Sequence, residues 1–163
     1  DRSFTTERFF EDITQYLLMT GLRLSEFSMN FATASIATGS FSFVGQDGAL
    51  AGTSGFSGKT AAATTASMNT IDNVQAVYID QAVSTADFTQ IDFSISTNAE
   101  ALRAIGSLNA VDVRTASIAV SGTLGVYFQD NTFLSKSLAY TAYALAFVVE
   151  DAAGNAYIFD FPT

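Results

Sequence analysis

Apolar and polar residues alternate along much of this chain with a period of two. Residues 27–31, 41–43, 89–95 and 118–128 each place apolar side chains at most second positions, with Ser, Thr, Asn, Gln or Asp between many of them. Successive side chains of a strand point to opposite faces of its sheet. Each segment is therefore predicted to be a strand with one apolar face and one polar face.

The C-terminal segment predicts a β-hairpin. Two alternating runs, residues 143–149 and 157–161, flank Asp151-Ala-Ala-Gly-Asn155. The Gly and Asn of this connection tolerate the positive φ angles that tight turns require. We expect one face of the hairpin to pack into the core, and its residues are Tyr143, Leu145, Phe147, Val149, Tyr157, Phe159 and Phe161.

Helix signals are few. Residues 97–100 resemble a capping box, and residues 99–105 are followed by Gly106, which predicts a two-turn helix. A second single turn is predicted over residues 131–137. Residues 48–70 are mostly Gly, Ala, Ser and Thr, so they are predicted to form one long excursion. The fold class is then all-β, a sandwich or barrel with one or two short helices.

The length of 163 residues predicts a single domain over residues 1–163. Residues 34–47 are similar to residues 116–130, which suggests two related β-units at about 1–80 and 81–163. The chain opens on Asp and stops abruptly after Pro162-Thr163. We therefore expect it to be trimmed at both ends.

Composition and charge narrow the function. Sixteen acidic and seven basic residues give a formal charge of -9, which argues against binding to phosphates of nucleic acid or anionic lipid. The absence of Cys and His removes thiolate chemistry, the commonest general base and the commonest metal ligand. The longest apolar stretch, residues 139–149, is much shorter than the roughly 20 residues of a membrane-spanning helix.

Short motifs that resemble catalytic or ligand sites fail on geometry. Residues 53–60 end like a nucleotide-binding loop, but Thr53 stands where the first Gly belongs and no buried strand precedes it. The adjacent acids Glu11-Asp12 and Glu150-Asp151 would point to opposite faces of a strand. Residues 151–155 lack the alternating oxygen ligands and the distal Glu of a calcium loop. We therefore expect no catalytic residues, no metal and no cofactor, and hence no enzyme.

Gly, aromatic and strand residues recur in a particular order along most of the chain. One such segment is Ser35-Ile-Ala-Thr-Gly-Ser-Phe-Ser-Phe-Val-Gly45, and another is Val120-Ser-Gly-Thr-Leu-Gly-Val-Tyr-Phe-Gln-Asp130. The remaining segments are residues 2–4, 10–16, 20–21, 91–100, 105–106 and 150–162. Together they resemble the tail tube proteins, or major tail proteins, of long-tailed bacteriophages and related gene transfer agents.

The resemblance implies a structural virion protein. Six β-sandwich subunits would form a ring, one sheet of each joining a continuous barrel, and stacked rings would conduct DNA during ejection. The implied partners are further copies and other tail proteins (tape measure, terminator and baseplate), with no membrane and no specific binding of DNA. The protein would reach the phage tail after assembly in the host cytoplasm. An acidic wall agrees with this function, because it repels phosphates and lets DNA slide.

Two groups of residues are candidates for this function. Where apolar side chains such as Ile91 and Phe93 face the core, the polar residues between them face outward. The candidate lumen-facing residues are Glu26, Ser28, Asn30, Gln90, Asp92 and Ser94. The candidate inter-ring loop residues are Gly52, Gly55, Phe56, Gly58 and Lys59.

Two alternatives stay open at this point. A surface or adhesin-like β-sandwich that binds a glycan or a protein would share the acidic, Thr-rich strands. An outer-membrane barrel would need strands of about nine to eleven residues with aromatic girdles. The absence of Trp and the shorter alternating runs argue against that barrel.

Overall fold

A computed structural model describes residues 2–129 and 131–163. Its strands are β1 (Phe4–Phe10), β2 (Gln15–Ala32), β3 (Thr38–Val44), β4 (Asp47–Ala51), β5 (Val74–Ile79), β6 (Ala82–Val83), β7 (Phe88–Ser96), β8 (Glu100–Leu102), β9 (Asp112–Arg114), β10 (Ala119–Val126), β11 (Leu145–Glu150) and β12 (Ala156–Phe161). The helix α1 spans Thr132–Leu138. The all-β class with a short helix is confirmed, and the predicted turn at residues 131–137 corresponds to α1.

The strands of the described residues form three sheets. In the largest, β1, β2, β7 and β10 follow one another, and β3 and β4 also pair with β2. A second sheet has the order β12-β11-β5-β6, and β8 pairs with β9 alone in the third. The alternating segments of the sequence lie in β2, β3, β7 and β10, although β2 is 18 residues long and begins well before the predicted alternation.

The predicted helix over residues 99–105 is wrong. Residues 100–102 form β8, in which Glu100 lies opposite Arg114. A capping box needs the hydroxyl of Thr97 at the helix amides. Here the Thr97 hydroxyl instead donates to the carbonyl of Leu24 at 2.5 Å, and its N–H donates to Ser25 at 2.9 Å. Thr97 is therefore tied to β2, and the chain continues as a strand.

The predicted excursion over residues 48–70 is also partly wrong. Its first four residues belong to β4, which pairs antiparallel with β2 so that Ala49 lies opposite Leu18. Near its other end, the carbonyl of Met68 accepts a hydrogen bond from Ala37, and the N–H of Thr70 donates to Ser35. The irregular part of the segment therefore starts at Gly52 and ends before Met68.

The chain divides into two compact units whose segments interleave. Unit 1 comprises Asp1–Ser28, Gly39–Thr64 and Ser94–Ser121, and unit 2 comprises Met29–Thr38, Thr65–Phe93 and Gly122–Thr163. Each unit takes residues from both halves of the sequence. The relationship between residues 1–80 and 81–163 stays a prediction.

Unit 1 is built around the first part of β2. β1 pairs with it, and the register shifts between Phe4 and Thr6, where β2 has one additional residue. Gly21 lies at this irregularity with φ of 63°, and a Cβ there would approach the Gln46 side chain to 2.6 Å. Both the positive φ and the close contact require glycine.

Unit 2 has a core of aromatic side chains. Phe147 on β11 is fully buried. Its ring lies 4.9 Å from the ring of Phe159, 5.2 Å from Phe31 and 6.3 Å from Phe93, between centroids. Because Phe31 is on β2 and Phe93 on β7, these contacts join the second sheet to the unit 2 part of the first one. Such aromatic contacts add to the free energy gained by burying the rings.

The predicted C-terminal hairpin is confirmed. β11 pairs with β12 in a register that places Phe147 opposite Phe159. In the turn, the Asp151 carboxylate accepts hydrogen bonds from the backbone N–H groups of Ala153 (2.9 Å) and Asn155 (2.8 Å). The side-chain amide of Asn155 also donates to this carboxylate and has the largest effect on its pKa. Together with the backbone bonds, it holds the pKa of Asp151 below its usual value.

The core face predicted for this hairpin is only partly correct. Phe147 and Val149 are buried, whereas Leu145, Phe159 and Phe161 are half-buried. Tyr143 and Tyr157 are 37% and 63% exposed, so the prediction is wrong for them. Tyr143 precedes β11 and packs edge-on against Phe133 of α1, while Tyr157 lies on the edge strand β12 close to the turn.

Phe147→Ala is expected to lower the free energy of unfolding by about 3–5 kcal/mol, because it opens a cavity at the centre of the aromatic core. Urea unfolding followed by circular dichroism measures the change. Tyr157→Ala, on the same hairpin but exposed, should cost no more than about 0.5 kcal/mol. Equal losses in the two variants would contradict the central role of Phe147.

Candidate functional site

In unit 2, three of the candidate lumen residues form one polar cluster. Phe31 on β2 and Ile91 and Phe93 on β7 are buried in the core. The alternating residues Asn30, Gln90 and Asp92 consequently lie on the opposite side of these two strands. The side-chain amides of Asn30 and Gln90 both donate hydrogen bonds to the Asp92 carboxylate.

This cluster positions a negative charge on a polar sheet face. Both donors to Asp92 are neutral amides, so they orient the carboxylate without compensating its charge. Asp92 is half-buried and Gln90 is exposed. The sequence placed these residues on one face by their alternation alone, but the link between Asn30 and Asp92 depends on how β2 and β7 pair.

In unit 1, two of the candidate serines form cross-strand pairs. The Ser28 hydroxyl lies 2.8 Å from the Ser40 hydroxyl, and the Ser94 hydroxyl lies 3.0 Å from that of Ser121. Ser40 and Ser121 were missed as candidates, although each alternates with apolar neighbours in the sequence. Glu26 is exposed and takes part in neither pair.

The loop that follows β4 is attached to unit 1 through Glu7 of β1. The Glu7 carboxylate accepts hydrogen bonds from the Ser54 hydroxyl at 2.7 Å and from the Gly55 N–H at 2.6 Å. The Lys59 ammonium lies 3.8 Å from the same carboxylate and 5.7 Å from the centroid of the Tyr16 ring. We call Glu7, Ser54, Gly55 and Lys59 the loop anchor.

The loop anchor places a charged group under the loop. The Glu7 side chain is only 7% exposed, whereas Lys59 is 61% exposed. The Ser54 hydroxyl, and then the Gly55 N–H and the Lys59 ammonium, hold the pKa of Glu7 below its usual value despite the opposing effect of burial. Glu7 therefore carries its charge at neutral pH.

The five candidate loop residues differ in how they are held. Gly55 and Lys59 belong to the loop anchor, and a Cβ on Gly55 would contact the side chains of Leu18 and Glu7. At Gly52 and Gly58 a Cβ would meet nothing within 4 Å, and Phe56 remains 42% exposed. Sequence reasoning missed Glu7, because no local pattern connects residue 7 with residues 54–59.

Neither a metal centre nor a membrane-spanning helix is found in the described part of the chain. Within residues 2–129 and 131–163, no group of three or more acidic, His or Cys side chains is arranged to hold a metal ion. No helix in these ranges is long and apolar enough to cross a membrane.

A family model described as phage tail tube protein matches residues 1–163, the whole chain. A search of curated protein sequences finds no match to the chain.

Glu7→Gln is expected to loosen the loop without unfolding the subunit. The amide cannot replace the charge-assisted hydrogen bonds to Ser54 and Gly55, nor the attraction to Lys59. Trypsin should therefore cleave after Lys59 severalfold faster in the variant than in the wild type at neutral pH. Glu26→Gln, an exposed glutamate in the same unit, is the matched control and should leave the cleavage rate unchanged.

The effect of Glu7 should also depend on pH. Because its folded pKa is lowered, its contribution is fully present above the unfolded pKa of about 4.5 and is lost as the pH falls through the folded pKa. The difference in unfolding midpoint between the wild type and Glu7→Gln should shrink over that range. A constant difference down to the lowest pH at which the protein folds would contradict the loop anchor.

Proposed function

Since the chain belongs to the phage tail tube protein family, we propose that six copies form a ring and that stacked rings conduct DNA during ejection. The protein is a structural component of the phage tail. We also propose that other tail proteins are partners of the rings and that the protein has no catalytic activity.

The exposed surface of the single subunit supports assembly more than any other observation. The 17.3 kDa chain has an accessible surface of 11330 Å². A folded monomer of this mass exposes about 7,800 Å², so the excess is roughly 3,500 Å². Obligate interfaces bury areas of roughly 2,000–5,000 Å². An excess of accessible surface of this size supports a subunit whose exposed apolar surface is buried against neighbouring copies.

Open strand edges support pairing between copies. Among the described strands, β10 pairs with β7 and β3 pairs with β2, which leaves one edge of each strand open. Phe41 on β3 and Val120 on β10 are 64% and 55% exposed. Natural proteins rarely leave long apolar edges uncovered, because such edges pair with other chains. We propose that β3 of one copy pairs with β10 of the next.

The polar sheet faces supply a wall suited to DNA transit. We propose that Glu26, Ser28, Asn30, Gln90, Asp92 and Ser94 face the bore. Six copies of Asp92 would then form a ring of negative charge that repels the passing phosphates. Short hydroxyl and amide side chains would add no positive charge to which DNA could bind.

The double variant Glu26→Lys/Asp92→Lys should assemble but retain DNA. Its twelve new positive charges per ring would attract phosphates, so DNA transit should slow at low salt and recover as salt screens the attraction. Ejection rates measured over a range of salt concentrations test this. Glu11→Lys/Asp12→Lys makes the same charge change at exposed positions of the β1–β2 turn and is the matched control.

Rings that form normally and eject DNA at the wild-type rate at every salt concentration would exclude Glu26 and Asp92 from the bore. A protein that stays monomeric at high concentration would instead contradict the assembly itself and favour an adhesin-like module. Negative-stain microscopy of the same samples distinguishes these outcomes.

Replacement of residues 52–65 by a Gly-Ser segment of the same length should spare folding of the subunit but weaken stacking of the rings. The replaced segment lies between β4 and the backbone contacts of Met68 and Thr70. Keeping its length preserves the reach of the connection, because Ala51 lies opposite Tyr16 at the start of β2 and the Thr70 hydroxyl donates to Ala32 at its end. Tube length by electron microscopy and melting temperature by calorimetry separate the two effects. Tubes as long and stable as those of the wild type would refute a role of the loop in stacking.

A further inference from the structure

The hairpin formed by β8 and β9 exposes two large apolar side chains at its tip. Between the strands, the N–H of Ser107 donates to the carbonyl of Ala104 at 3.2 Å, and Gly106 has φ of 85°. This tight turn leaves Ile105 fully exposed and Leu108 92% exposed. Among residues 2–129 and 131–163, no other two large aliphatic side chains within three positions of each other are both as exposed as Ile105 and Leu108.

The base of the same hairpin is firmly held in unit 1. Val113 and Ala110 are buried. The N–H of Ala110 donates to the carbonyl of Gln46 at 3.2 Å, and the Gln46 side-chain amide donates to the carbonyl of Val111 at 2.9 Å. The exposed tip is therefore presented by an anchored base. Apolar surface held in water in this way is typical of an interaction site.

Charge is divided unequally between the two units. Unit 1 contains six of the seven basic residues and eight of the sixteen acidic ones, a formal charge of -2. Unit 2 contains the other eight acidic residues and a single basic one, Lys136, a formal charge of -7. The hairpin carries two of the exposed basic residues, Arg103 and Arg114. The hairpin also carries Glu100 and Asp112 and is neutral as a whole, but the charged residue of its tip, residues 103–108, is Arg103.

Unit 2 contains a cleft that fits such a tip. The cleft has a volume of about 330 Å³, which is at the lower end of the range for ligand pockets. Its apolar lining includes Val83, Val126, Tyr127, Phe128 and Phe133. Lys136, which also lines it, is already paired with Asp80 and lies 5.7 Å from the Tyr143 ring centroid. Asp87, beside the lining residue Ala86, is exposed.

We propose that the hairpin tip, residues 103–108, of one copy docks into the unit 2 cleft of a second copy. Ile105 and Leu108 contact the apolar lining, and Arg103 faces the exposed Asp87 beside the cleft. Such a contact joins two different surfaces of identical chains, so it repeats from copy to copy and produces closed rings or filaments. The inference rests on the proposed assembly and names one of its contacts.

Disulfide trapping between single-cysteine variants tests this contact directly, because the chain has no cysteine of its own. Ser107→Cys places a thiol at the tip and keeps both apolar side chains. Thr85→Cys places a thiol on the cleft lining and keeps its apolar residues. The two proteins are mixed under assembly conditions and oxidised. A mixed disulfide dimer should form, since docking brings the two Cα atoms within the roughly 7 Å that a disulfide requires.

Matched controls separate docking from random collision. Ala152→Cys, at the exposed turn between β11 and β12 and outside the cleft, should give little mixed dimer with Ser107→Cys. Adding Ile105→Ser and Leu108→Ser to Ser107→Cys should lower the yield severalfold, whereas adding Ile13→Ser, also an exposed isoleucine of unit 1, should not. Arg103→Glu should lower the yield, whereas Arg2→Glu should leave it unchanged.

The outcomes distinguish the contact from the proposed function. Tubes without the mixed disulfide would overturn the hairpin contact and leave the tail tube function standing. A specific mixed disulfide without rings or tubes would support the contact and contradict the proposed assembly. Equal yields with Thr85→Cys and Ala152→Cys would also overturn the contact.

Discussion

The aromatic contacts of Phe147 are the constraint on which the rest of unit 2 depends. Phe31 and Phe93 reach this ring from neighbouring strands only if both strands turn the same alternate residues inward. A slip of one residue would reverse every side chain of a strand. The buried rings therefore also determine that Asn30, Gln90 and Asp92 share the other face. The core and the polar surface proposed for the bore are two consequences of one register.

In unit 1, polar contacts hold one loop in place. The loop after β4 has few apolar side chains to bury, and Glu7 compensates by accepting hydrogen bonds from Ser54 and Gly55 beneath Lys59. Charge-assisted hydrogen bonds of this kind are among the stronger polar contacts, and they orient the atoms that make them. A segment rich in Gly, Ala, Ser and Thr can in this way have a defined attachment while Phe56 and the glycines around it remain accessible to another subunit.

The division of charge has consequences for assembly. A formal charge of -9 disfavours association between identical chains, yet seven of the nine excess negative charges lie in unit 2. Contacts that bring unit 1 of one copy to unit 2 of another avoid most of this repulsion, whereas contacts between two copies of unit 2 do not. The same arrangement keeps positive charge scarce where β2 and β7 present Asp92. The function that we propose needs both properties, association between subunits and a wall that repels DNA.

The sequence by itself determined the strand class, most of the alternating strands, the C-terminal hairpin and the polar candidates on β2 and β7. These features depend on the period of two between neighbouring residues, which is local. Tertiary structure decided that Thr97 binds to β2 and residues 100–102 form a strand, that residues 48–51 pair with β2, and that Tyr143 and Tyr157 are exposed. It also brought Glu7 to residues 54–59, Asn30 to Asp92 and Ser94 to Ser121. Each of these contacts joins residues far apart in the chain, and no local pattern encodes which distant strand will be the neighbour.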